Sequence, residues 1–316
     1  MLRYIIILLD DTSVSFCHYQ NLVKERKLIS IETLHHGIIF AMKHNLNIQF
    51  VYPDYDLPEE YQKEIEAIDH TKICAYPMKS NDEEVVVVDH WWEISPEEFP
   101  KDKSVIIQAT LPLLTTNKKL LVTILQRVVR LNIMLTDLTG YSNEDFSKYE
   151  SFLDVMSNIL VGFFKKGRVP QLNLLTDRLF LSEMNNCGAG DFSITLAPNG
   201  CFYVCPAFYY ESPEQTFGNL DEGVDIRNPQ LYRLDHAPIC RACDAFQCKR
   251  CIWLNQLTTM DCNTPSYEQC VVAHLERNAS RNLLTKLAKA GIALSNCQEI
   301  KEINYLDPFN IVSRWK

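Results

Sequence analysis

Apolar residues in the first half of this chain fall into short, mostly apolar runs separated by longer stretches in which they recur every three or four positions. Runs at Tyr4–Leu9, Ile48–Tyr52, Ile73–Tyr76, Val85–Asp89, Val105–Ala109 and Ile133–Thr136, with a weaker one at Leu172–Leu175, predict β-strands. Runs without alternation, such as Val85–Val88, suit strands covered on both faces of a parallel sheet. Between them the helical rhythm predicts helices over Ile31–His44 behind a Ser30 cap, over Glu59–Ile68 after Pro58, and over Leu120–Arg130. A longer helix reaches Phe164 from a capping box at Ser142 and Asp145. The stretch Ser80–Lys103, acidic and holding Trp91 and Trp92, reads as a missing or shortened helix. Strand and helix in alternation imply βαβ units and an α/β fold, an open sheet or a partial barrel.

The rhythm changes near Gly188, where glycine, asparagine, proline and cysteine rise and long helices stop. Phe192–Leu196 and Phe202–Cys205 flank Pro198-Asn199-Gly200 and predict a β-hairpin, because Asn-Gly readily takes positive φ. A last helix is expected over His274–Ala290, followed by an irregular tail. The expected division is residues 1–178, an α/β domain; 179–275, a cysteine-rich domain; and 276–316, a C-terminal helix and tail.

Composition narrows the function classes. With 47% hydrophobic and 22% charged residues the chain reads as an ordinary globular protein. A formal charge of −9 and dispersed basic residues argue against a nucleic-acid partner. The apolar start is short and runs into Asp10 and Asp11, so it reads as a buried strand rather than a signal peptide. No stretch is long enough to cross a membrane, and the expected location is the cytoplasm.

Cysteine usage carries the chemistry. Nine of the twelve cysteines lie between Cys187 and Cys270, and five follow a ligand-like spacing: Cys240-x-x-Cys243, Cys248-x-x-Cys251, then Cys270. Thiolates two residues apart reach one soft metal ion or one cluster iron from a tight turn. In a reducing compartment such pairs mean metal or catalysis more often than disulfides. Two knuckles four residues apart would also close one Cys₄ zinc site, although zinc ribbons usually separate theirs by roughly fifteen to twenty residues.

The series Cys187, Gly200, Cys205, Cys240, Cys243, Cys248, Cys251 and Cys270, with Cys187-Gly188 and Phe217-Gly218-Asn219-Leu220, resembles the SPASM domain that ends many peptide-modifying radical SAM enzymes. The family usually leaves five and three residues in the second half of the knuckle, where this chain leaves four and two. The resemblance implies one or two 4Fe-4S clusters. Cys187, Cys205 and Cys251 would hold the first, with Cys201 or Cys262 as a further ligand or with an iron left open. Cys240, Cys243, Cys248 and Cys270 would hold the second.

A radical SAM barrel carries C-x-x-x-C-x-x-C after its first strand, and here Ser13, Cys17 and Gln20 stand at the three positions. Serine and an amide are poor cluster ligands. The Gly-Gly-Glu segment expected after the second strand is replaced by Val51-Tyr52-Pro53-Asp54, and no glycine occurs between Gly37 and Gly140. Close backbone approach to a cofactor favours glycine, so S-adenosylmethionine cleavage is not expected. Over its whole length the chain resembles the CXXX repeat peptide maturase group, a radical-SAM-like family with a SPASM region. Leu9-Asp10-Asp11-Thr12-Ser13-Val14-Ser15-Phe16-Cys17-His18-Tyr19 and Gln49-Phe50-Val51-Tyr52-Pro53-Asp54-Tyr55 carry that resemblance. It implies a maturase, or an accessory pseudoenzyme, for a ribosomally made cysteine-rich precursor peptide, with a catalytic radical SAM enzyme as a further partner. A zinc-stapled interaction module without redox activity is the alternative.

Other candidates are weaker. Cys17, beside His18, reads as a peptide-contacting or redox thiol or as a remnant of an ancestral cluster site. Asp89-His90-Trp91-Trp92 suggests a peptide-gripping rim, against which stands packing of the tryptophans in the core. Cys74 falls within a strand and is expected in the core. No phosphate loop, nucleophile elbow or zinc-protease helix occurs.

Overall fold

The computed structural model describes residues 2–77 and 85–302. In chain order the first elements are β1 (Tyr4–Leu8), α1 (Ile31–Lys43), β2 (Asn47–Val51), α2 (Glu59–Glu66), β3 (Thr71–Ala75) and β4 (Val85–Val88). They are followed by β5 (Ser104–Ala109), α3 (Leu111–Thr116), α4 (Lys118–Leu125), β6 (Arg130–Leu135), α5 (Asn143–Lys165), β7 (Gln171–Leu172) and α6 (Asn173–Phe180). The cysteine-rich part contains β8 (Ser193–Leu196), β9 (Phe202–Tyr203), α7 (Pro206–Glu211), β10 (Gly218–Asn219), β11 (Gly223–Val224), α8 (Ile252–Thr259) and α9 (Tyr267–Lys289).

Two compact units result, each assembled from two stretches of chain: Met1–Asp89 with Cys187–Ala237, and His90–Asn186 with Pro238–Lys316. In the first, the strands run β4-β3-β2-β1-β8-β9, parallel except for the last, which returns antiparallel on β8. The Asn199-Gly200 turn behaves as its sequence requires, with Gly200 at φ +79°. The core of this unit joins Ile5, Ile7, Phe50, Ile194 and Leu196 to Leu34, Ile38 and Ala41 of α1. Full burial of each large aliphatic side chain contributes about 1.5–3 kcal/mol. A Cβ on Gly37 would meet the Leu196 Cδ2 methyl at 2.5 Å, so a larger residue there would oblige Leu196 to shift.

In the second unit β7-β6-β5 form a parallel sheet. Helices α5 and α6 pack against α9, burying Tyr149, Phe152, Leu153, Met156 and Leu160 along one face of α5. Its start is the expected capping box, with Ser142 and Asp145 each accepting from the other's backbone N–H.

Three expectations change. The strand expected over Leu172–Leu175 stops at Leu172 and becomes helix α6, because Thr176 Oγ1 bonds both the N–H and the carbonyl of Leu172. Helix α8 had no signal in the sequence, and the structure gives it no side-chain cap either. Helix α9 starts at Tyr267 rather than His274, because Ser266 and Gln269 form a second capping box. Within Ser80–Lys103, residues 80–84 lie outside the described residues; residues 85–103 hold β4 and a 3₁₀ turn at Pro96–Glu98.

Candidate metal centre and the strand-end loop

Cysteines 240, 243, 248, 251, 262 and 270 belong to the second unit; Cys17, Cys187, Cys201 and Cys205 belong to the first. Cys240 lies on a 3₁₀ turn, with the Cys243 N–H donating to the Cys240 carbonyl. Cys248 closes the following turn, its N–H bonded to the Ala245 carbonyl. Cys251 caps α8, and Cys270, buried, sits in the first turn of α9. The thiols of Cys240, Cys243 and Cys248 lie near enough to act on one another electrostatically. Among the described residues, no three His, Cys, Asp or Glu side chains converge closely enough to hold a metal ion. Cys187 is exposed, Cys205 half-buried at the start of α7, and Cys201 beside the Asn199 turn. The Cys262 thiol donates to Gln256 Oε1 at 3.4 Å.

What surrounds the three thiols is specific. Two backbone donors point at sulfur: Ala245 N–H at Cys243 and Arg250 N–H at Cys248, both at 3.4 Å. His274 Nε2 lies 3.3 Å from Cys243 Sγ. Three arginines are buried here, Arg277 at 0%, Arg178 at 2% and Arg250 at 5% exposure. Arg277 grips the Asp244 carboxylate through Nε and Nη2 at 2.8 and 2.5 Å. Arg178 donates to the Asp244 carbonyl at 2.7 Å and lies over the Phe246 ring. The Arg250 guanidinium hydrogen-bonds Cys240 and reaches Asn263 Oδ1 at 2.6 Å.

The electrostatics follow from that arrangement. Burial pushes the Asp244 carboxyl up, but the hydrogen bonds and charges of Arg277 and Arg178 outweigh it and hold the group below its ordinary value. Burial drives the Cys240 thiol up to about 11, against the pull of Arg250, and the Cys248 thiol up to about 12. Such thiols stay protonated at neutral pH unless a soft cation displaces the proton. Buried guanidinium is costly without a counter-charge, and Asp244 offers one charge to Arg178 and Arg277 together. A metal or cluster held by several thiolates is net negative and would balance the remainder. The donor chemistry around these thiols therefore fits a thiolate-bound group. Cys240, Cys243 and Cys248, joined by Cys270 as the sequence resemblance implies, would have to draw together to hold it, since as placed no three of them converge.

The loop after β1 has a different design. Ser13 is fully buried, its hydroxyl accepting from Asp10 N–H at 3.0 Å and donating to the Val51 carbonyl at 2.9 Å. Val14 N–H continues the join to the Tyr52 carbonyl. Cys17 is half-buried and Gln20 exposed, so the three motif positions lie in different environments. The carboxylate of Asp10 is fully buried and accepts from Thr12 and from the Tyr55 hydroxyl at 2.7 Å. Asp11 accepts from Tyr209 at 2.5 Å. At the ends of β2 and β3 a cavity of about 440 Å³ is lined by Tyr52, Asp54, Tyr55, Asp56, Cys74 and Tyr76. Trp91 is a core residue, its Nε1 donating to the Gln108 carbonyl, while Trp92 stays partly exposed.

Among solved structures, the chain is similar to hexahistidine-tagged anSMEcpe with bound AdoMet, at TM-score 0.62 and 13% identity, covering 92% of this chain and 96% of that one. The fold is radical-SAM-like. Native anSMEcpe with bound AdoMet and Cp18Cys peptide is similar at TM-score 0.57 and 12% identity, over 92% and 99% of the two chains. Streptococcus suis SuiB bound to precursor peptide SuiA stands further off, at TM-score 0.45 and 11% identity, over 85% and 73%. No protein-family model and no curated protein matches the sequence. Among the described residues no helix is long and apolar enough to cross a membrane.

The arginines and His274 went unread in the sequence. Cys270 and His274 stand four residues apart on α9, a spacing that places them on one helix face. The pairing is visible only with a helix that starts at Tyr267, ahead of both residues.

Proposed function

We propose that this protein is a maturase or accessory protein for a ribosomally synthesised cysteine-rich peptide of the CXXX repeat type, with residues 179–275 holding one or two 4Fe-4S clusters. The observation that carries the reading is the surplus of buried guanidinium beside Cys240, Cys243 and Cys248. Bound clusters would supply electron transfer or an open iron for a substrate thiolate. The chain's own residues do the rest. Arg178 and Arg277 hold the Asp244 turn, Arg250 and His274 contact the sulfurs, and the cavity at the β2 and β3 ends offers tyrosines and carboxylates to an extended peptide.

The same reading makes the protein a partner of a catalytic radical SAM enzyme rather than one that cleaves S-adenosylmethionine itself. Supporting this, the Ser13 hydroxyl is committed to the Val51 carbonyl and the Asp10 N–H, where a first thiolate ligand would stand. The neighbouring structure that contains a peptide makes a peptide partner reasonable for this chain as well.

A zinc-stapled interaction module is the second reading, favoured by the imidazole of His274 beside Cys243, since imidazole with thiolate suits zinc. Iron, sulfide and zinc content of anaerobically purified protein, with its visible spectrum, decides between them. Clusters give a brown protein with about four to eight irons per chain; zinc gives a colourless one with about one zinc. Binding of the purified protein to a synthetic Cys-x-x-x repeat peptide tests the partner, and no binding at all would refute the maturase reading.

A further inference from the structure

Arg250 touches two of the candidate ligand sulfurs at once. Its backbone is left-handed, at φ +42°, a strained conformation for a non-glycine residue. That twist aims its own N–H at Cys248 Sγ, 3.4 Å away. Its guanidinium folds back to Cys240. There the side chain is pinned by Asn263, itself buried at 8% exposure, through the 2.6 Å bond to Oδ1. A strained backbone, a buried charge and a dedicated amide partner on one residue are more than packing needs, since an apolar side chain would fill the same space without the desolvation cost.

We infer that Arg250 is a positioning residue for the thiolate centre: it clamps Cys240 and Cys248 at a fixed separation and supplies the buried positive charge that balances them when they are metal-bound. The inference rests on the metal-bearing reading above and applies equally to iron–sulfur clusters and to zinc. Outer groups that hydrogen-bond metal ligands typically contribute 10–100-fold to metal retention.

Arg250→Gly is the discriminating variant, because glycine keeps the left-handed backbone and its N–H···S bond while deleting the guanidinium. The full chain, loaded with its native metal, is challenged with excess chelator and the rate of metal release is followed. Arg250→Gly is expected to release metal about tenfold or more faster than wild type, with Arg250→Lys and Asn263→Ala in between. Arg250→Lys keeps the backbone and most of the packing, so faster release in that variant at an unchanged metal-free melting temperature marks lost positioning rather than lost packing. Equal release rates in a metal-loaded wild type and Arg250→Gly overturn the inference and leave the metal reading standing. A wild-type protein that binds neither iron nor zinc overturns both.

Discussion

His274 Nε2 lies 3.3 Å from the Cys243 sulfur, and that sulfur accepts from the Ala245 N–H. His274 is buried at 3% exposure on α9, one turn beyond Cys270, so the helix delivers a thiol and an imidazole to the same face. An N–H donated to a thiolate steadies it as a ligand. His274→Ala is expected to weaken metal retention about 10–100-fold, with His274→Gln, which keeps a donor, in between. Chelator competition against the wild-type protein measures it.

Asp244 is the carboxylate that Arg277 grips, and it sits against Arg178 as well. Removing one partner of a fully buried ion pair costs about 3–5 kcal/mol, because the other charge stays unpaired. Asp244 is 35% exposed, so solvent screens part of that and the cost should be smaller. Asp244→Asn should therefore lower the urea midpoint. The loss should be smaller in metal-loaded than in metal-free protein, since bound thiolates supply part of the missing negative charge. Equal losses in the two forms would mean that the thiols and arginines do not share a charge balance.

Much of this architecture was legible from the chain. The first six strands appear within about three residues of their apolar runs, because an unbroken run such as Val85–Val88 suits little besides a buried strand. Where reading failed, a tertiary contact decided. Asn173 turns its side chain to both the N–H and the carbonyl of Ile133 in β6, so the chain leaves the sheet earlier than its apolar pattern suggests. The thiols were legible because their spacing is local. Their surroundings were not, because Arg178 and Arg277 meet at Asp244 across separations of 66 and 33 residues. No local pattern announces a pair of that kind.

Ser13 offers a test of how the strand-end loop is built. Its hydroxyl serves the Asp10 N–H and the Val51 carbonyl together, in a fully buried position. Ser13→Ala leaves both backbone groups without that partner and should cost about 1–3 kcal/mol in equilibrium denaturation. Restoring the motif cysteines as Ser13→Cys with Gln20→Cys should give a destabilised protein whose iron content does not rise, since Gln20 is exposed and Ser13 is buried. A gain of about four irons per chain in the double variant would show that the loop keeps a cluster-binding shape.

Glu276 makes stability depend on pH. Burial raises its carboxyl from the ordinary 4.5 to about 7, while bonds from Tyr149, whose hydroxyl is 2.7 Å away, and from Gln247 pull in the opposite direction. The folded protein thus binds this proton more tightly than the unfolded chain does. Its contribution to stability is fully present below the unfolded value and is lost as pH rises through about 7. A rise of that size corresponds to about 3 kcal/mol between the two limits. Glu276→Gln carries no charge to bury and keeps an oxygen for the Tyr149 hydroxyl. The variant should match wild type near about pH 4 and exceed it in stability by up to about 3 kcal/mol near about pH 8.5. Urea unfolding of metal-free protein at the two pH values measures the difference. Parallel pH profiles for the two proteins would mean that Glu276 stays ionised in the fold, with the part-exposed Lys249, whose charge also acts on it, holding it there.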